Sequence, residues 1–367
     1  MYIKYLQLAN FRNYKALNLE LNKETNVFIG NNAQGKTNVL ESIYYCSLGK
    51  SHRTSKDKEL INWNEQEAYI NAYVCKERLD KKIEIKIFKD GKKGVKVNSI
   101  KLNKIAELMG VLNAVIFSPE DLKIVKESPS FRRKFLDIEL CKLNAKYYYN
   151  LVQYNKVLDE RNSLLKKYSD KAESVIDIYD DQLTVFGSSI IKERIKYVEK
   201  LNIKGKMIHD DITSGNEVIE FRYLTFTEDF SNIQSELKKS LIRNRKKDFE
   251  RKLTSVGPHR DDFSISINNV DTRSFGSQGQ QRTSILTIKF ASLEIIKDEI
   301  GEYPVLLLDD VLSELDLSRQ KYILNSLKNV QSIITCTGIE NIKGYLDDNI
   351  KIFKVSDGEI EYEYLNK

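Results

Sequence analysis

The 367-residue chain is 31% charged and 41% hydrophobic, carries a net charge of +6 from 59 basic and 53 acidic residues, and is long enough for about two domains with buried cores. Its longest strictly aliphatic run, Val305–Leu308, falls far short of the roughly 20 apolar residues of a transmembrane helix, so no membrane partner is expected. The start lacks a signal peptide's apolar stretch, and four cysteines without a CxxC pair and three scattered histidines point to a reduced, cytoplasmic protein without structural zinc.

The first thirty residues read as strands at 2–8, 16–21 and 26–29, the last a short apolar run ending at Gly30, and a helix is expected from Lys36 to about Ser47. Alternating segments at 68–74, 82–88 and 95–97 form an antiparallel lobe, with a Lys-Asp-Gly-Lys-Lys-Gly turn at 89–94. The middle changes character. Leu140, Leu143, Tyr147, Leu151, Tyr154 and Leu158, then Val175, Ile178, Leu183, Phe186, Ile190, Ile195 and Val198, recur at helical spacing. They predict two amphipathic helices of about 30 residues, joined near 167–171 into an arm about 45 Å long. A third helix over 231–251 carries the basic run Lys238, Lys239, Arg243, Arg245, Lys246, Lys247, Arg251 and Lys252. From Asp262 a strand returns, followed by a helix over 278–297, a strand ending at Asp309, a helix over 317–328 and a strand over 332–335. Strand–helix alternation at both ends of a helical block suggests one α/β domain interrupted by an inserted arm.

Gly30-Asn31-Asn32-Ala33-Gln34-Gly35-Lys36-Thr37 fits the phosphate-loop pattern GxxxxGK[ST] between a strand and a helix. Its glycines let backbone amides turn around phosphates, and the helix N-terminus adds partial positive charge. Lys36 would reach the β- and γ-phosphates of a nucleotide, and Thr37 would ligate Mg²⁺. Val305-Leu306-Leu307-Leu308-Asp309-Asp310 is a buried strand running into two carboxylates. Asp309 is the second magnesium candidate, and Asp310 the group that would orient or activate the attacking water. Ser274–Arg282 places small and amide residues before another helix, a second phosphate-seeking helix start that is redundant unless it serves another molecule's nucleotide.

The ordered set of phosphate loop, long insertion, Ser-Gln-Gly-Gln-Gln-Arg and Leu-Leu-Leu-Asp-Asp-Val-Leu-Ser-Glu-Leu-Asp resembles the ABC-type ATPase heads of the SMC-like branch, and within it the RecF family of bacterial recombination mediators. Phe11-Arg12-Asn13-Tyr14, Phe117–Leu122 and Gly257–Asp262 are each similar to segments of that family. The resemblance implies an α/β fold: an ABC-type P-loop head of mixed sheet plus antiparallel lobe built from 1–122 and 253–367, with 123–252 as the inserted helical arm. It implies that two heads dimerise around two ATP molecules, so that Ser277, Gln278, Gly279 and Gln280 of one face the phosphate held by the other's Lys36. Ser313 and Asp316 then belong to the D-loop crossing that interface, and Arg12 and Asn13 to the nucleotide's phosphates, with Arg53 similarly placed. Lys36, Ser277 and Asp310 would carry the chemistry.

Three departures from the wider pattern matter. The signature reads Gly-Ser-Gln-Gly-Gln, as in RecF-like sequences. Asp310 stands where glutamate is usual, which suggests slow hydrolysis. No switch histidine follows strand 332–335, and Ser118 is the only stand-in for a Q-loop glutamine. His259 reads as structural. Family behaviour implies a clamp on duplex DNA at gaps or junctions, recruitment of RecR, and through it RecO and RecA loading, with slow DNA-stimulated ATP hydrolysis. Arg243, Arg245, Lys246 and Lys247 are the candidate DNA contacts, acting on the phosphate backbone because no base-reading motif is present. The competing readings are a transporter's nucleotide subunit, a non-hydrolysing nucleotide-gated scaffold and a nuclease ATPase.

Overall fold

Strands β1 (Tyr2–Phe11), β2 (Tyr14–Glu20) and β3 (Thr25–Ile29) and helix α1 (Lys36–Leu48) open the chain, followed by β4 (Glu67–Cys75), β5 (Lys81–Phe88), β6 (Lys93–Val97), β7 (Ile100–Lys101) and β8 (Ala114–Phe117). This computed structural model describes residues 1–167, 170–338 and 350–364. By packing, the chain separates into two compact units, Met1–Asp121 with Ser292–Lys367, and Leu122–Ala291.

In the first unit the antiparallel lobe has strand order β2-β1-β4-β5-β6-β7. Ala68, Ile70, Ala72 and Val74 face its buried side, as do Ile83, Ile85 and Ile87, which is the period-two pattern of a half-covered sheet. A bulge between Ile3 and Tyr5 explains why β1 alternates only roughly: it shifts the phase so that Ile3 and Leu6 both point inward.

The second unit comprises α2 (Leu122–Lys126), α3 (Pro129–Leu143), α4 (Ala145–Lys166), α5 (Asp170–Thr213), β9 (Ile219–Leu224), α6 (Ile233–Arg251), β10 (Asp262–Ile267), β11 (Val270–Asp271), α7 (Thr272–Phe275) and the start of α8 (Gln278–Ile300). The two equal helices expected here are unequal: α4 has 22 residues and α5 has 44, because apolar spacing continues past Val198 through Leu201 and Ile208. Part of the expected junction, residues 168 and 169, lies outside the described residues. The compact unit also runs to Ala291 rather than stopping at 252. The reason is pairing: β10 lies antiparallel to β9 along its whole length, Phe263 packs on Phe135 of α3, and Asp262 accepts from Arg132 at 2.6 Å.

The chain returns to the first unit through β12 (Val305–Asp309), α9 (Leu317–Asn325), β13 (Ser332–Cys336), β14 (Ile350–Ser356) and β15 (Glu359–Tyr364). The second sheet has the order β15-β14-β3-β13-β12-β8, parallel throughout except for β14–β15. Its inner strands β12 and β13 are buried at every residue, as parallel strands covered on both faces must be. The carboxyl ends of β3, β12 and β13 therefore meet at one sheet edge, where α/β sheets place ligands. No helix among the described residues is long and apolar enough to cross a membrane.

Candidate nucleotide-binding site

Immediately after β3 the backbone turns through positive φ at Gly30 (152°), Ala33 (67°) and Gly35 (116°). A side chain at Gly30 would place its Cβ 2.3 Å from the Val355 carbonyl of β14, so the close approach of that strand demands glycine. α1 then starts at Lys36 with no side-chain cap and no acidic residue in its first turn. Its first N–H groups and the positive end of its dipole remain available to an anion. Lys36 is buried, its Nζ donating to the Gly30 carbonyl at 2.5 Å and the Asn31 carbonyl at 2.8 Å. Burial lowers its pKa, while Asp310, Cys336 and Asp309 act in the opposite direction.

Across the sheet edge, Thr37 Oγ1 donates to Asp309 Oδ1 at 2.8 Å, although 272 positions separate the two residues. Asp309 and Thr335 are register partners on β12 and β13, and Thr335 Oγ1 reaches the same carboxylate oxygen at 2.9 Å. The Asp310 amide donates to Thr335 Oγ1 at 2.9 Å, and Asp310 adopts φ 54°, which turns it out of the strand. Ser313 Oγ donates to the Asp310 carbonyl at 2.7 Å and meets its carboxylate at 3.2 Å. A hydroxyl and a carboxylate converging beside a phosphate loop are hard oxygen donors suited to Mg²⁺. Asp316 caps α9 by accepting from the Arg319 amide at 3.0 Å; the Glu314 side chain between them lies outside the described residues.

Arg12 and Asn13 form the β1–β2 turn. Arg12 grips Glu41 of α1 with Nε at 2.9 Å and Nη2 at 2.7 Å, and Arg53 reaches the same carboxylate at 3.3 Å. Burial of Glu41 opposes ionisation, but hydrogen bonds from Arg12 and Ser51 and the charges of Arg12 and Arg53 outweigh it and hold the pKa below its ordinary value. Asn13 Nδ2 donates to the Gln34 carbonyl at 2.9 Å, and Asn13 Oδ1 accepts from Asn38 Nδ2 at 2.8 Å, which ties this turn to the phosphate loop. Gln34 is also held from the C-terminal side, since its Oε1 accepts from the Asp357 amide at 2.5 Å.

In the second unit, Ser277 and Gln280 cap the start of α8 reciprocally. Ser277 Oγ accepts from the Gln280 amide at 3.2 Å, and Gln280 Oε1 accepts from the Ser277 amide at 3.0 Å. Ser277 and Gln278 are exposed, and Gln280 Nε2 donates to Glu217 at 2.9 Å.

These motifs can be set beside known proteins. The family described as RecF/RecN/SMC N terminal domain matches residues 2–361. A DNA replication and repair protein RecF from Clostridium novyi (strain NT) is 67% identical over 360 residues, covering 98% of this chain and 99% of that protein. One from Clostridium tetani is 68% identical over 363 residues, with 98% and 99% covered. The chain belongs to the RecF family. A solved structure of the recombination mediator protein RecF–ATP in the RecFOR pathway superposes with TM-score 0.91 at 42% identity, covering 99% of this chain and 97% of that one. An Smc head domain from Pyrococcus furiosus shares the fold at TM-score 0.59 and 17% identity, covering 100% and 96%. The fold is thus that of the SMC-like ABC-type ATPase heads with added helical elements, as the motif order implied.

Several residues beyond the motifs shape this RecF-family site. Thr335 and Glu41 organise the carboxylate and the Arg12 turn, and Asp357 holds the loop; the one signal in the sequence was Glu41, the single acidic residue of α1. His259 is half-buried against Tyr154, its Nδ1 2.7 Å from the phenol oxygen and its Nε2 3.0 Å from the Thr254 carbonyl, a structural setting. The basic run of α6 divides. Arg243, Lys246 and Lys247 are exposed, whereas Arg245 is bound to Asp177 and Asp180 of α5, so its charge is spent inside the unit.

Proposed function

We propose that this chain is an ATP-dependent DNA-binding recombination mediator that acts in the cytoplasm. The observation that carries the reading is the Thr37–Asp309 hydrogen bond, which completes a phosphate loop with its magnesium carboxylate in a RecF-family chain. Thr37 and Asp309 would hold Mg²⁺, which when bound offsets the negative charge of the phosphates. The α1 N-terminus and Lys36 would bind the phosphates of ATP, and Asp310 would hold and orient the attacking water. An aspartate reaches less far than a glutamate, and Asp310 is already drawn toward Ser313, which favours slow turnover stimulated by DNA.

The exposed start of α8 is of use to a second copy's nucleotide, so ATP would join two chains into a dimer that clamps duplex DNA at single-strand gaps. RecR, with RecO and RecA loading downstream, follows from family kinship: the solved relative at 42% identity is assigned to the RecFOR pathway. That kinship also favours this reading over a transporter's nucleotide subunit. The deciding experiment is binding to gapped, duplex and single-stranded DNA with MgATP, MgADP or no nucleotide. The expected result is tight binding to duplex-containing DNA with MgATP alone. Equal binding in all three nucleotide states would refute it. The contact between Asp310 and Ser313 supports one other reading, a scaffold that binds ATP without hydrolysing it, and a single-turnover assay separates the two.

A further inference from the structure

Glu217 belongs to no motif, yet it is bonded to the start of α8. It lies in the short connection between α5 and β9. The chain leaves α5 through left-handed backbone at Ser214 (φ 52°) and Gly215 (φ 78°) and is then fastened to the β10–β11 turn. The Val218 amide donates to Asn268 Oδ1 at 2.9 Å, and the Asn268 amide donates to the Val218 carbonyl at 2.8 Å. Glu217 thus stands between two anchored points. Its two carboxylate oxygens face different helices. Oε1 accepts from Gln280 Nε2 of α8 at 2.9 Å. Oε2 lies 3.4 Å from Nε2 of His209, which is fully buried on α5 and whose Nδ1 is 2.9 Å from Thr287 Oγ1 of α8. The carboxylate therefore joins the 44-residue helix α5 to the residues around Ser277.

Gln280 has one amide group for two tasks. Its Oε1 accepts from the Ser277 amide at 3.0 Å, while its Nε2 is held by Glu217. The oxygen and nitrogen ends of an amide side chain have nearly the same shape, so the end that faces Ser277 is decided by what meets the other end. An ionised carboxylate can only accept. It takes the NH₂ end and leaves the oxygen for the Ser277 amide. A reversed amide would set N–H against N–H, and the reciprocal cap would be lost.

We propose that Glu217 is a positioning residue for the signature segment: by fixing the direction of the Gln280 amide, it holds Ser277 in the geometry in which Ser277 meets the nucleotide of a second copy. The inference rests on the dimer reading above and adds to it a residue outside every motif. A Glu217 that only filled space would be replaceable by any side chain of similar size. One that sets the direction of an amide must accept a hydrogen bond.

Three substitutions in the full-length chain separate these roles. Glu217→Gln keeps an acceptor, Glu217→Ala offers none, and Glu217→Lys offers only donors, which would draw the amide oxygen away from Ser277. Hydrogen exchange over residues 274–282 without nucleotide reads the cap itself. It should match the wild-type chain in Glu217→Gln, speed up in Glu217→Ala and speed up most in Glu217→Lys. Sedimentation with MgATP reads the dimer, with Ser277→Arg as the dimer-deficient control. Glu217→Ala should weaken the dimer about tenfold, because the cap is lost in both copies. Glu217→Lys should weaken it further, although a positive charge by itself would favour a phosphate, and Glu217→Gln should stay close to the wild-type chain. Wild-type exchange or wild-type dimerisation in Glu217→Ala, or a Glu217→Gln dimer as weak as that of Glu217→Ala, would overturn the proposal. A wild-type chain that forms no dimer with MgATP, or a dimer that survives Ser277→Arg unchanged, would instead refute the dimer reading, and the inference would fall with it.

Discussion

Asp309 and Asp310 are adjacent in the chain but chemically separate. Asp309 ends a fully buried strand and accepts from Thr37 and Thr335, while Asp310 turns away at positive φ toward Ser313. Asp309→Asn should therefore weaken Mg²⁺-dependent ATP binding together with turnover. Asp310→Asn should keep ATP affinity and slow hydrolysis by about 10²–10⁴-fold, the usual reach of general-base help. Measuring affinity and turnover for both side by side is the check, and wild-type turnover in Asp310→Asn would remove it from that role. A second pair lies in the other compact unit. Burial lowers the His259 pKa to about 4 from 6.5, so the native state prefers the neutral ring; that stability is present above pH 6.5 and is lost as pH falls from 6.5 to 4. Burial raises Asp261 to about 6 from 3.8, so the native state prefers the protonated acid and gains stability over nearly the same fall in pH. Each effect is about 3 kcal/mol and they run in opposite directions. Asp261→Asn should thus lose stability between pH 6.5 and 4 markedly faster than the wild-type chain in urea unfolding. Parallel pH profiles would show that the two do not offset each other.

Helix α6 carries one basic run whose members sit in two settings. Arg245 joins Asp180, which is buried and also paired with Arg161; Arg161 in turn holds Asp248 at 2.8 Å. Buried charges of this kind are costly when one partner is removed. Arg245→Ala should lower thermal stability. The exposed residues should behave differently: replacing Arg243, Lys246 and Lys247 with Ala should leave the melting temperature nearly unchanged and lower the magnitude of the log–log salt slope of DNA binding by about 0.9 for each lost phosphate contact. An unchanged slope would mark that face as merely solvated.

For the whole molecule, the expected event is the conversion of monomers to dimers by MgATP. The capped start of α8 leaves Ser277 exposed, where a second copy would reach it. Ser277→Arg should leave ATP binding largely intact, cost about 1 kcal/mol of stability through the lost cap, and abolish the ATP-dependent dimer in sedimentation. A mutant dimer of unchanged stability would sink this assignment.

The chemistry-bearing elements were legible because their signals are local. Gly30–Thr37 follows an apolar run and opens a helix, Val305–Leu308 is continuous apolar sequence ending in carboxylates, and Ser274–Arg282 sets small and amide residues before a helix, so propensity and spacing suffice for each. Other features depend on partners far along the chain. β9 gains its place by pairing with β10, and that same pairing carries 253–291 into the helical unit. Thr335 matters because parallel register sets it opposite Asp309, and Gly30 is obligatory because the Val355 carbonyl lies against it. Arg245 looked like its exposed neighbours until α5 supplied its acids. Periodicity records which face of an element is buried; which residue meets it there is decided only when strands from opposite ends of the chain align and helices pack.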